Sequence, residues 1–129
     1  MSGERLLMDT NIVLGYLRGD PEETSVVNDR PGAEICVSVI TRMELLSYHA
    51  LSEEEDAIVR RFLNNALVVP LNEEVEGIAI ALRRETRRKL PDAIVAATAI
   101  WLKAELATAD GGLARTKYPG LRIVAVGVD

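Results

Sequence analysis

The sequence predicts an α/β fold with a central, mostly parallel five-stranded sheet and helices on both of its faces. Three observations carry this expectation. Strand-like runs alternate along the chain with segments of helical periodicity. The strand-like runs are short and apolar at consecutive positions, so both of their faces need cover. Finally, 129 residues that are 48% hydrophobic and 27% charged suit one domain, spanning 1–129, with a shared core.

Leu6-Leu7-Met8 reads as the first strand. A helix follows over 11–18, with Val13, Tyr16 and Leu17 at helical spacing and Gly19 as its stop. Asp20-Pro21-Glu22-Glu23 opens the next helix, with a cap, a proline at the first position and acids in the first turn. Arg30-Pro31-Gly32 ends it. Residues 34–38 form the second strand, with Cys36 in the core, and a helix from 39 to about 50 follows, with His49 near its end. Ser52-Glu53-Glu54-Glu55 is a capping box for a helix striped by Ile58, Val59, Phe62 and Leu63. Leu67–Val69 is the third strand, and Asn72 caps a helix bearing Val75, Ile78, Ala79 and Leu82 on one face. Pro91 interrupts, and a buried helix is expected from 92 to about 103. Residues 106–108 and 121–126 supply the fourth and fifth strands.

Composition excludes several kinds of chemistry. One cysteine allows neither a disulfide framework nor a cysteine-based zinc site, and one histidine rules out catalysis by a pair of imidazoles. Aromatics are only 4%, so platforms for stacking bases are scarce. No segment reads as a targeting signal or a membrane span: residues 1–9 hold only a three-residue apolar run, and the longest apolar stretch, 93–102, falls short of the roughly 18 residues a span needs. The expectation is a soluble, cytoplasmic protein.

Four acids stand at informative places. Asp9 and Asp110 follow the first and fourth strands, at the carboxyl edge where open parallel sheets collect ligands. Each has a plainer role available, Asp9 as a helix cap and Asp110 as the start of a turn with Gly111 and Gly112. Glu44 falls on a helix with apolar residues on most sides. Burial there would cost several kcal/mol without a partnering cation, unless this face meets solvent or pairs with Arg42. Asp92 suits a helix cap, and Ala96 and Ala99 give its side of the helix a small-residue surface for close approach. Gathered at one sheet edge, four carboxylates demand a cation. All-oxygen donors suit Mg²⁺ or Mn²⁺, which activate water and steady the charge of an in-line displacement at phosphorus. Setting the four aside leaves 16 acids against 15 cations, so the formal charge of −5 is no bar to a polyanionic substrate.

At these residues the sequence resembles PIN-domain nucleases, and more closely the VapC-type toxins of type II toxin–antitoxin pairs. The matching pieces are Met8-Asp9-Thr10-Asn11, 38–45 around Glu44, Leu90-Pro91-Asp92-Ala93-Ile94-Val95-Ala96-Ala97-Thr98-Ala99, and Leu106-Ala107-Thr108-Ala109-Asp110. In order and spacing they span almost the whole chain. The resemblance implies a three-layer α/β/α PIN-like domain and a metal-dependent endoribonuclease that leaves 5′-phosphate and 3′-hydroxyl ends. It implies a cognate antitoxin as partner, and a homodimer that joins a larger complex with it. It assigns Asp9, Glu44, Asp92 and Asp110 to the metal site, with Thr10, Asn11 and Thr108 in support. The chain departs from similar sequences in carrying Ala109 before the last acid and Ala114 four residues beyond it. The likeness is therefore thinnest at any second metal position.

Arg83, Arg84, Arg87, Arg88 and Lys89 place five cations within seven residues just before Asp92. Helical spacing would stack Arg83 on Arg87 and Arg84 on Arg88, either toward an RNA backbone or as a solvated last turn. Arg42 lies within reach of a phosphate or a site carboxylate. The isolated aromatics, Tyr16, Tyr48, Trp101 and Tyr118, read as packing residues or as part of a dimer or antitoxin surface. Two other functions compete: a non-catalytic binding module on the same fold, and a nuclease acting on DNA. A phosphotransferase with Asp9 as nucleophile is disfavoured, because enzymes resembling haloacid dehalogenases carry a second Asp where this chain has Asn11.

Overall fold

A computed structural model describes residues 4–127; Met1, Ser2 and Gly3, from the segment read above for a targeting signal, lie outside the described residues. Strands β1 (Arg5–Met8), β2 (Glu34–Ser38), β3 (Leu67–Val69), β4 (Glu105–Thr108) and β5 (Arg122–Ala125) form one sheet in the order β3-β2-β1-β4-β5. All four neighbouring pairs are parallel, so the sheet is wholly rather than mostly parallel. The helices are α1 (Thr10–Arg18), α2 (Pro21–Asn28), α3 (Val39–Leu46), α4 (Glu53–Asn65), α5 (Glu73–Thr86), α6 (Leu90–Leu102) and α7 (Gly111–Ala114).

Alternate strand residues feed two cores. Leu7, Cys36, Val69 and Leu106 pack with α5, α6 and Leu113 on one face. Leu6, Met8, Val37 and Ala107 pack with α1, α4 and Leu45 on the other. Both faces are apolar because both are covered, which gives the three layers. Burial pushes the Cys36 thiol up to about 11, so the one cysteine stays protonated in the core.

Caps set most element ends. Gly19 takes the left-handed conformation (φ 81°) that terminates α1, and the Ser52–Glu55 capping box is reciprocal. Three boundaries differ from expectation. The helix expected to reach 50 stops at Leu46; the Ser47 hydroxyl donates back to the Met43 carbonyl, and His49 sits exposed in the following loop. Pro91 opens α6 rather than interrupting the chain, since the first turn has no use for its missing N–H. The short α7 went unseen because Gly111-Gly112 reads as a turn; a side-chain cap from Asp110 holds it.

At the opposite end of the sheet, Arg30 Nε donates to Glu105 at 2.9 Å in a pair whose side chains are 19% and 30% exposed. This hydrogen bond holds the Glu105 carboxyl below its ordinary value of 4.5. A depressed carboxyl stabilises the fold above the unfolded value and loses that contribution as pH falls through the folded one. Glu105→Gln should therefore cost about 1 kcal/mol at pH 7. In urea titrations its deficit against the wild type should shrink as pH drops below 4.5.

Candidate metal centre

The strand order reverses at β1, with β2 and β3 to one side and β4 to the other. That switch leaves a crevice beyond the carboxyl ends of β1 and β4, where Met8 lies opposite Ala107. Asp9 leaves β1 with its N–H bonded to the Ala107 carbonyl at 3.0 Å. Its Oδ1 accepts the Thr10 N–H at 2.9 Å, capping α1, and its Oδ2 accepts the Thr108 hydroxyl at 2.9 Å. Thr108 is fully buried, and its oxygen in turn accepts the Asp110 N–H at 3.0 Å. One hydroxyl thus ties two of the acids together. Asp110 caps α7 by accepting the Leu113 N–H on Oδ1 at 2.8 Å.

The other two acids come from helices that point their ends at the same crevice. Asp92 lies in the first turn of α6, one residue past Pro91; the cap position belongs to Lys89, so the expected capping role of Asp92 is corrected. Glu44 comes from α3, and the Thr10 hydroxyl donates to its carboxylate. It is exposed, so of the two readings left open by the sequence this face meets solvent. Only Thr41 and Leu45 of α3 are buried, so the helix covers the sheet with one narrow side.

All four acids line one cleft of about 280 Å³, together with Thr10, Asn11, Ile40, Tyr48, Pro91 and Val95. Burial raises the Asp9 carboxyl above its ordinary value against the hydrogen bonds from Thr108 and Thr10, and the charges of Glu44 and Asp110 raise it further. Burial also raises Asp92, followed by the charges of Asp110 and Asp9, with Lys89 opposing. Each of these two acids therefore feels the others. The donor set fits a hard divalent ion such as Mg²⁺ or Mn²⁺. Among the described residues no three such side chains close into a ready-made cage. Binding by these acids would thus keep waters between some oxygens and the ion, as Mg²⁺ commonly does.

The basic residues divide. α5 ends at Thr86, and Arg87 takes the left-handed conformation (φ 59°), so the expected stacking of Arg84 on Arg88 is broken. Arg83, Arg84 and Arg87 line a separate groove with Ile80 and Leu90. Arg88 turns the other way: a Cβ on Gly112 would sit 2.6 Å from its Nη1 and 3.3 Å from Asp110 Oδ1. The bare Gly112 lets the guanidinium lie there, near the fourth acid; a side chain at 112 would displace it. Arg42 lines a different groove with Leu46, Arg60, Leu63 and Asn64, away from the four acids. Tyr48, read from sequence as an isolated aromatic, stands in the cleft wall. Its spacing of four from Glu44 was the available signal.

Residues 6–118 match the family model described as PIN domain. No curated protein sequence matches the chain significantly. Among solved structures, a toxin–antitoxin complex from Klebsiella pneumoniae is similar with a TM-score of 0.77 and 29% identity, over 93% of this chain and 96% of that one. DNA-bound VapBC from Salmonella typhimurium is similar with a TM-score of 0.77 and 23% identity, over 95% and 98%. VapBC2 from Rickettsia felis, bound to a DNA fragment from its promoter, gives 0.77 and 20%, over 94% and 98%.

Crowded carboxylates predict a stability signature. In EDTA, Asp92→Asn should melt at or above the wild-type temperature, because it relieves repulsion. Adding Mg²⁺ or Mn²⁺ should raise the wild-type Tm by about 2–4 °C and the variant's by clearly less, as read by differential scanning calorimetry.

Proposed function

The chain belongs to the PIN-domain family, and from that premise we propose that it is a Mg²⁺- or Mn²⁺-dependent endoribonuclease, the toxin of a type II toxin–antitoxin pair. The observation that carries the reading is the gathering of Asp9, Glu44, Asp92 and Asp110 around one cleft at the switch point of the sheet. The similarity to a toxin–antitoxin complex supports the toxin assignment. The proposal extends to a cognate antitoxin as partner, a homodimer within a larger complex, and action in the cytoplasm. No described helix is long and apolar enough to cross a membrane.

The residues divide the labour by how firmly they are held. Asp9 is fixed by hydrogen bonds to both oxygens and would form the rigid side of the ion site. Asp110 spends Oδ1 on the α7 cap, which leaves Oδ2 for the ion or its waters. Asp92 approaches from the first turn of α6. Glu44, exposed and held by the Thr10 hydroxyl, would orient a water from the solvent side. A bound Mg²⁺ or Mn²⁺ would supply an activated water and neutralise charge on the phosphate. No side chain need become a covalent nucleophile. Arg88, beside Asp110, would contact a phosphate of the strand.

Cleavage of a mixed RNA pool tests this. Purified free of antitoxin, the wild type should cut in Mg²⁺ or Mn²⁺, stop in EDTA and leave 5′-phosphates. Asp92→Asn should lose at least about 100-fold in rate. Equal traces from both proteins would expose contamination, and cutting of DNA instead of RNA would overturn the substrate. Arg88→Ala should raise KM and lower the salt dependence of binding by about one phosphate contact.

A further inference from the structure

We propose that Tyr48 is a stacking platform for an unpaired base of the substrate, next to the phosphodiester that the four acids address. This rests on the nuclease reading above and adds that the cleft takes single-stranded rather than paired nucleic acid. Tyr48 is 49% exposed, although it belongs to the wall of the acidic cleft. Among the described residues no other aromatic lines that cleft. Tyr16 and Phe62 pack on each other, with ring centroids 6.4 Å apart.

Tyr48 also borders a second hollow of about 290 Å³ with Leu14, Leu17, Leu51 and Ile58. Arg18 and Glu55 also line that hollow, so Tyr48 divides the carboxylate cleft from a mixed space with one apolar wall. The acids would address a phosphate only through a cation, and a base joined to that phosphate would meet an aromatic face at the edge of the cleft. The backbone at Tyr48 makes two long contacts: its N–H donates to the Leu45 carbonyl at 3.4 Å, and its carbonyl accepts the Leu51 N–H at 3.5 Å. Just before it, the Ser47 hydroxyl donates to the Met43 carbonyl at 2.7 Å.

Charge makes such a contact useful. Around four acids, ionic attraction to the strand is confined to a bound cation and Arg88, and neither addresses the base. Stacking does not depend on charge and accepts any base, but the base must leave its pair to reach the ring.

The test uses the mixed RNA pool as substrate, with matched single-stranded and duplex oligonucleotides. Tyr48→Ala should raise KM for single strands about tenfold, with kcat changed much less. Tyr48→Leu, which keeps apolar bulk without a π-face, should behave like Tyr48→Ala, and Tyr48→Phe should restore KM to within about twofold. In the Asp92→Asn background, a single-stranded RNA carrying 2-aminopurine should be quenched on binding, and Tyr48→Leu should abolish the quenching. Unchanged KM in Tyr48→Leu while cutting continues, or duplex cut as fast as single strand, overturns the stacking role alone. A wild type that neither binds nor cuts any strand removes the nuclease reading and this one with it.

Discussion

Two adjacent parallel strands end in carboxylates, and the rest of the centre depends on keeping those groups together despite their charge. The buried Thr108 hydroxyl does this by donating to Asp9 and accepting from the Asp110 backbone. A hydroxyl suits the task because it satisfies an anion and an N–H at once and brings no charge of its own. A methyl group there would remove the donor from Asp9 in a place that water cannot easily fill. The parallel sheet sets the separation of the strands, the hydroxyl sets the register of the acids, and the helices then bring Glu44 and Asp92 to a position already defined.

Capping and ligation prove compatible. From sequence, Asp9 and Asp110 each had two readings, a helix cap or a functional acid. The structure gives each a cap and still places it in the cleft, because a carboxylate has lone pairs to spare after one N–H is satisfied. Caps also orient these side chains at no cost to the site. Asp9 and Asp110, each held by one backbone N–H, keep lone pairs open to the cleft, even where burial disfavours the charge of Asp9.

Much of this was legible in the chain. The order of strands and helices, the Gly19 stop, the Ser52 capping box and all four acids follow from local pattern, because apolar period and cap chemistry are local signals. What was not legible depends on tertiary placement. Glu44 was expected on a buried helix, yet the helix meets the sheet along only one side. The arginines were expected to stack, but a left-handed Arg87 breaks their helix, and no propensity foretells that conformation for an arginine. The position of Arg88 near Asp110 depends on Gly112, which lies 24 residues further along the chain.

The bond between Asp9 and Thr108 joins residues 99 apart in sequence. β1, the middle strand of the sheet, must therefore wait beside β2 for a partner that arrives late in synthesis. A ribosome has to release nearly the entire domain before the first and last acids can meet, and parallel pairing at such range is slow. A nascent or truncated chain consequently carries every early motif and no assembled centre. Assembly of the four-acid cleft is thereby tied to synthesis of the later strands, through topology alone.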